Sequence, residues 1–186
     1  AFLEKGVNVL VEKPIALTLE EADRMIETAE KSGAKLMVGH LERFNPAMVA
    51  LRPKVNNPLY FEIHRVSPFP NRSLDVDVVM DVMIHDLDLL RALVGAPVVD
   101  VEAVGVPVLT PHADLVNARL KFANGAFATV TASRVAQKKE RTLRAFADKA
   151  YAKLDFAAQK LELLGLVMGP NGPEIKNEQA DIEEGE

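Results

Sequence analysis

The spacing of apolar and polar positions along this chain changes character several times. Val7-Asn8-Val9-Leu10-Val11 is a short β-branched run, and such a run closed by a turn signal predicts a strand. The signal is Glu12-Lys13-Pro14; proline biases Lys13 toward an extended backbone, so Lys13 is expected at the strand's carboxyl end. From Thr18 the pattern becomes helical, with Ala22, Met25, Ile26 and Ala29 repeating until Gly33. Thr18 followed by Glu21 has capping-box spacing, which predicts where that helix starts. Lys35 to Val38 is a second apolar strand, ending at Gly39-His40. Strand, helix, strand is the unit that builds a parallel sheet with right-handed crossovers.

Asn45-Pro46 predicts the cap and first turn of a further helix running toward Val55, broken by Pro53 and Asn56-Asn57-Pro58. A domain boundary is expected near Pro58, dividing the chain into 1–57 and 58–186. Beyond it come a strand from Leu59 to Val66, a loop with Pro68, Pro70 and Asn71, and a long apolar helix from Val76 to Val94 stopped by Gly95 and Pro97. Val98 to Val108, Leu115 to Phe122, Ala126 to Val135 and Arg141 to Phe146 are strand-like, with Asn124-Gly125 as a tight turn. From Met168 the chain is rich in Gly, Pro, Asn and Glu and ends in Asp181-Ile182-Glu183-Glu184-Gly185-Glu186, which reads as an exposed segment, or as another cut made before a final element that would leave the second domain incomplete at its C-terminus. The expected fold class is α/β: a partial doubly wound sheet to about residue 57, then a mostly antiparallel sheet with helices on one face.

Composition narrows the partners. An apolar content of 48% in 186 residues is enough for a real core, and a net charge of -5 indicates neither a polyelectrolyte nor a basic nucleic-acid surface. Phe2, Phe44 and Phe61 show no stacking arrangement for bases. A small-molecule partner is therefore expected, with no nucleic acid. No cysteine is present, so there is no disulfide framework, thiolate metal site or thiol nucleophile, and the cytoplasm is the default compartment. The runs Val7 to Val11 and Val78 to Ile84 fall well short of the ~20 residues that span a membrane. The first residue is alanine and no signal-peptide pattern follows, which reads as a cut in a longer chain.

Asp81-Val82-Met83-Ile84-His85-Asp86-Leu87-Asp88 sets three carboxylates and an imidazole inside an apolar helix. An isolated buried polar group costs roughly 1 to 3 kcal/mol and an unpaired charge more, so these groups must line a cleft or find partners. Regular helical spacing puts Asp81, His85 and Asp88 on one face, where Asp81 can support His85 as a general base near neutral pH. The competing reading is a polar network that only joins helix to sheet. Lys13 is a second candidate, because open parallel sheets bind ligands beyond the carboxyl ends of their strands; most lysines in that place are simply solvated. The third is Gly39-His40-Leu41-Glu42-Arg43-Phe44-Asn45-Pro46, where Arg43 can meet a phosphate or carboxylate bidentately. Otherwise it is only a strand-to-helix turn, with Arg43 paired to Glu42 or to nothing. His64 and His112 read as surface or packing residues. Arg134, Lys138, Lys139, Arg141 and Arg144 read as a solvated basic turn around a hairpin.

Taken in order, Glu12-Lys13-Pro14, Gly39 to Pro46 and Asp81-x-x-x-His85-Asp86 resemble the Gfo/Idh/MocA family of oxidoreductases, over essentially the whole chain. The wording around His40, His85 and Thr131-Ala132-Ser133-Arg134 is most similar to those members that oxidise a UDP-N-acetyl sugar. The resemblance implies the C-terminal part of a Rossmann domain followed by an α+β substrate and oligomerisation domain with a large, mostly antiparallel sheet. It implies oxidation of a sugar's secondary hydroxyl to a ketone, with NAD favoured over NADP. Lys13, Asp81 and His85 would then be catalytic. Glu12, Lys13, Pro14, His40 and Arg43 would face the cofactor, and Lys13, Asn45, Asp81 and His85 the substrate; no metal is implied. The family opens with a glycine-rich phosphate turn that is missing here, since Gly165 and Gly169 to Gly172 lie late and lack the flanking strand and helix. The chain alone is therefore expected to bind cofactor weakly or not at all. The resemblance also implies a homo-oligomer formed through the open sheet face, expected to be apolar. Two other readings remain at this point: a metal-dependent hydrolase using the His85-Asp86 helix, and a non-catalytic sugar-binding homologue.

Overall fold

The computed structural model describes residues 1–70, 74–170, 172–179 and 182. Asn71 of the expected loop, together with Asp181 and residues 183–186 of the acidic end, lies outside them. The chain forms two compact units, Ala1–Leu41 and Glu42–Glu186.

In the first unit, β1 (Val9–Val11) and β2 (Leu36–Val38) pair in parallel, Val9 opposite Leu36 and Val11 opposite Val38, and α1 (Leu19–Ser32) connects them. Both strands are shorter than the apolar runs that predict them. The Asn8 side chain accepts a hydrogen bond from the Lys35 amide at 2.8 Å, so a side chain takes the place of a ladder partner there. Thr18 Oγ1 accepts from the Glu21 amide at 3.2 Å, as expected of a cap. The Glu21 carboxylate reaches one residue further back than a capping box requires, accepting from the Leu17 amide at 3.2 Å. Gly33 closes the helix at φ 70°, a left-handed conformation that suits glycine.

The second unit is built on an eight-stranded sheet. Its strands are β3 (Pro58–Val66), β4 (Val98–Val106), β5 (Leu115–Phe122), β6 (Phe127–Ser133), β7 (Glu140–Ala147), β8 (Ala150–Asp155), β9 (Lys160–Gly169) and β10 (Gly172–Gln179). Their spatial order is β10-β9-β8-β7-β3-β6-β5-β4. All neighbours are antiparallel except β3 and β6, which run parallel at the centre. Alternation along the strands turns Phe61 and Ile63 of β3, Ala128 and Val130 of β6, and Leu143 of β7 into the core.

Residues 42–57, placed by the sequence pattern with the first part of the chain, pack with the second unit. Ala47, Met48 and Leu51 of α2 (Pro46–Leu51) are buried in its core. α2 stops earlier than the expected Val55, and a 3-10 turn over Arg52–Lys54 follows, where Pro53 lacks the N–H that an α-helix would need.

The segment from Val76 is not one regular helix. Val79–Met83 is wound as a π turn and α3 (Ile84–Val94) follows, with the Ile84 amide donating to the Val79 carbonyl five residues back. The regular spacing assumed between Asp81 and His85 is therefore widened, while His85 and Asp88 share regular α-helix. β4 ends at Val106 rather than Val108 because the amides of Val108, Leu109 and Thr110 donate to the Asp114 carboxylate at 2.7–2.9 Å instead of to a neighbouring strand.

The exposed tail expected from Met168 is a strand in part: Gly172–Gln179 pairs antiparallel with β9, from Gly169 opposite Gly172 to Glu162 opposite Gln179. Composition concealed it, because a sheet-edge strand with little to bury needs no apolar alternation, and charge and proline suit an edge. The sheet face turned away from the core also differs from the apolar patch expected. It carries Glu62, Arg144, Asn117 and Thr131, with Tyr60, Phe146 and Tyr151 in tilted ring contact at 5.7 and 5.1 Å.

Candidate active site

Glu12-Lys13-Pro14 leaves β1 and Gly39-His40 leaves β2 at the same end of the parallel pair, held together by the Gly39 amide donating to the Val11 carbonyl at 2.8 Å. This is the carboxyl end of the strands, where folds of this kind take ligands. Lys13 and His40 are half-buried there, and the Lys13-Pro14 peptide is cis. Glu12 lies against Gly39 so closely that a side chain at 39 would start 3.2 Å from a Glu12 carboxylate oxygen. A side chain at 39 would thus need the exposed Glu12 carboxylate to give way by a few tenths of an ångström.

In the second unit, the π turn carries Asp81, α3 carries His85, Asp86 and Asp88, and Arg43 and Asn45 precede α2. Asp86 is wholly buried and accepts from Arg65 Nε at 2.9 and 3.0 Å, and the ion pair brings Arg65 Nη2 to 2.8 Å from its Oδ1. Arg65 Nη1 donates to Glu42 at 3.0 Å, and the guanidinium lies 5.1 Å from the Phe156 ring centre. Burial pushes the Asp86 carboxyl up against the opposing pull of Arg65. Burial works to lower the Arg65 pKa, but Asp86 and then Glu42 outweigh it and hold it above its ordinary value. Asp88 accepts from Arg43 Nε at 2.6 Å and Nη2 at 2.5 Å, and this bond raises the Arg43 pKa. Arg43 therefore does find a carboxylate bidentately, but the carboxylate belongs to α3. Two of the three acidic groups in the segment tie the helix to residues 42–43 and to β3. Asp81 and His85 are its other two titratable groups, both half-buried, with His85 Nδ1 enclosed.

Asn45 caps α2, its Oδ1 accepting from the Ala47 amide at 3.1 Å, and its Nδ2 donates to the Phe156 carbonyl at 3.4 Å. Both ends of its amide thus serve the fold. His64 lies 3.3 Å from Glu62 on the outer sheet face, and His112 is in an exposed loop. Arg134 overturns the reading of a solvated basic turn: it is fully buried and bonded to Asp114 through Nε at 2.7 Å. Arg141 and Arg144, by contrast, are partly exposed, the latter donating to Glu62 at 3.1 Å. The sequence carried a signal for the buried arginines. Arg65 follows Phe61 and Ile63 at alternate positions of β3, and Arg134, one residue past β6, continues the spacing of Val130 and Ala132. Asp114 had no such pattern.

Among the described residues, no group of three or more His, Asp or Glu side chains could hold a metal ion. Asp86 and Asp88 are moreover each engaged by a guanidinium group, of Arg65 and of Arg43.

Residues 56–153 match the GFO/IDH/MocA C-terminal domain, and residues 1–40 match an oxidoreductase family with an NAD-binding Rossmann fold. The chain is 42% identical over 97% of its length to UDP-N-acetylglucosamine 3-dehydrogenase of Acidithiobacillus ferrooxidans, spanning 58% of that protein. It is 34% identical over 71% of its length to the myo-inositol dehydrogenase Hyg17 of Streptomyces leeuwenhoekii, spanning 41% of that one. A solved structure of the Acidithiobacillus enzyme superposes with a TM-score of 0.89, covering 97% of this chain and 59% of the other at 41% identity. A levoglucosan dehydrogenase in complex with NADH and L-sorbose shares the fold, with a TM-score of 0.84 at 20% identity, covering 96% of this chain and 56% of that one.

Proposed function

The chain belongs to the Gfo/Idh/MocA family of oxidoreductases, and from that premise we propose that the protein oxidises a secondary hydroxyl of a UDP-N-acetyl sugar to a ketone by hydride transfer to NAD. The observation that carries the substrate class is 42% identity, over 97% of the chain, to a UDP-N-acetylglucosamine 3-dehydrogenase.

The first unit fits a dinucleotide in one respect that its own geometry supplies: two loop entries, Glu12-Lys13-Pro14 and Gly39-His40, emerge side by side at the carboxyl end of parallel strands. Glu12, Lys13, Pro14 and His40 are the proposed cofactor side. The nicotinamide, when bound, supplies the hydride acceptor. The chain's own part is acid-base and electrostatic. His85 takes the proton of the sugar hydroxyl as the carbinol C–H bond breaks, and Asp81 supports the imidazolium that forms. The Lys13 ammonium stabilises negative charge developing on the hydroxyl oxygen. Arg43, through Asp88, and Asn45, through the Ala47 amide and the Phe156 carbonyl, hold the strand-to-helix turn within the second unit.

The Tyr60, Phe146 and Tyr151 face of the large sheet is the proposed contact with a second copy of the chain, since aromatic side chains with polar tips are favoured at interfaces. No described helix is long and apolar enough to cross a membrane, and the cytoplasm is the proposed compartment. The activity is tested by incubating full-length protein with UDP-N-acetylglucosamine and NAD and weighing the sugar product. Loss of two hydrogens, matched by one equivalent of NADH, supports the reading; an unchanged sugar across a panel of UDP-N-acetyl sugars contradicts it.

A further inference from the structure

The chain just before the π turn is held from outside the helix. The Val76 carbonyl accepts from Arg134 Nη1 at 2.9 Å, and the Val78 amide donates to the Ala113 carbonyl at 2.9 Å. Between them Asp77 caps the turn, its carboxylate accepting from the amides of Val79 and Met80 at 3.0 and 2.9 Å. Arg134 is the hub of this arrangement. Its Nε donates to Asp114, its Nη2 to the Thr110 hydroxyl at 2.9 Å, and its amide to the Asp114 carbonyl at 2.9 Å. Asp114 in turn collects three loop amides and the Thr110 hydroxyl. One buried guanidinium thus joins the end of β6, the loop after β4 and the entry to the segment that bears Asp81 and His85.

Resting on the functional reading above, we propose that Arg134 is a positioning residue for the reaction, fixing through the Val76 carbonyl the start of the π turn and so the placement of Asp81 and His85. A π turn is a less regular winding than an α-helix and is found often at functional sites. Its geometry is therefore set by what grips its ends. A planar fork can bind the Asp114 carboxylate and the Val76 carbonyl together, whereas an ammonium is a single point that cannot reach both in the same way.

The test compares Arg134→Lys with unaltered full-length protein and with Leu161→Val, a core change in β9 remote from the helix. Arg134→Lys keeps the charge opposite Asp114 but loses the fork. The expected result is a kcat for UDP-N-acetylglucosamine oxidation lowered by about 10- to 100-fold, with KM within about twofold, a split that general destabilisation does not produce. Hydrogen exchange at the amides of residues 79–83 should also be faster in Arg134→Lys and unaltered in Leu161→Val. Wild-type kcat in Arg134→Lys, or unchanged exchange at 79–83, overturns the proposal. If the unaltered protein oxidises no UDP-sugar, the functional reading fails, and the exchange comparison alone then decides whether Arg134 grips the turn.

Discussion

Arg65 occupies an inward position of β3, where alternation would place an apolar side chain, and it survives there because Asp86 and Glu42 surround its guanidinium. A buried ion pair of this kind contributes little net stability, since desolvation offsets the attraction, but removing one partner strands the other. Arg65→Met should therefore destabilise the second unit by about 3–5 kcal/mol, read from urea unfolding. Arg65→Met combined with Asp86→Leu should recover most of that loss; equal destabilisation in the single and double variants would contradict the coupling. Asp114 makes a pH-dependent counterpart. Burial would raise its pKa, but the amides of Thr110 and Leu109, Arg134 and the Val108 amide outweigh it and hold the carboxyl well below the usual carboxylate range. A group depressed on folding stabilises above its unfolded pKa of about 3.9 and loses that contribution as pH falls toward the folded value. The urea midpoint should accordingly fall steeply below about pH 4, and less steeply in Asp114→Asn. Parallel curves would show that Asp114 is not the group being titrated.

At the scale of elements, capping chemistry was the most legible feature. Thr18, Asn45 and the glycines at 33 and 95 end or begin helices where their side chains and backbone freedom predict. Gly95 follows α3 at φ 64°, with open space around its absent Cβ. Gly95→Ala should thus cost about 1 kcal/mol from backbone strain alone, measurable as a small fall in the unfolding midpoint; no change would mean that the helix end frays without that cap. Less legible were features in which backbone groups bond to something other than a neighbouring strand or helical turn. The π turn at Val79–Met83 reads in sequence as ordinary amphipathic helix, because its apolar positions are the same. β4 stops short where Asp114 captures the next three amides, and periodicity carries no trace of a carboxylate six residues on. β10 was hidden for the opposite reason: its side chains at 173–177 are exposed, so pairing leaves no apolar rhythm to see.

For the whole molecule, family membership was readable because three short motifs occur in order, and each turned out to lie at a structurally special place. Two flank the carboxyl end of the β1–β2 pair and one spans the π turn and the start of α3. The division into compact units after Leu41 was not readable, since α2 looks like any amphipathic helix until the sheet that receives Ala47, Met48 and Leu51 is known. The motif residues also divide their labour in a way that residue type alone does not reveal. Asp86 and Asp88 bind arginines of their own unit, while Asp81 and His85 are proposed for the chemistry. The most direct measurement is steady-state NADH formation from UDP-N-acetylglucosamine and NAD by full-length protein and by His85→Ala. Turnover is expected in the first and a kcat lowered by about 10²- to 10⁴-fold in the second, with NAD affinity unchanged; equal rates in the two proteins would rule out His85 as the base.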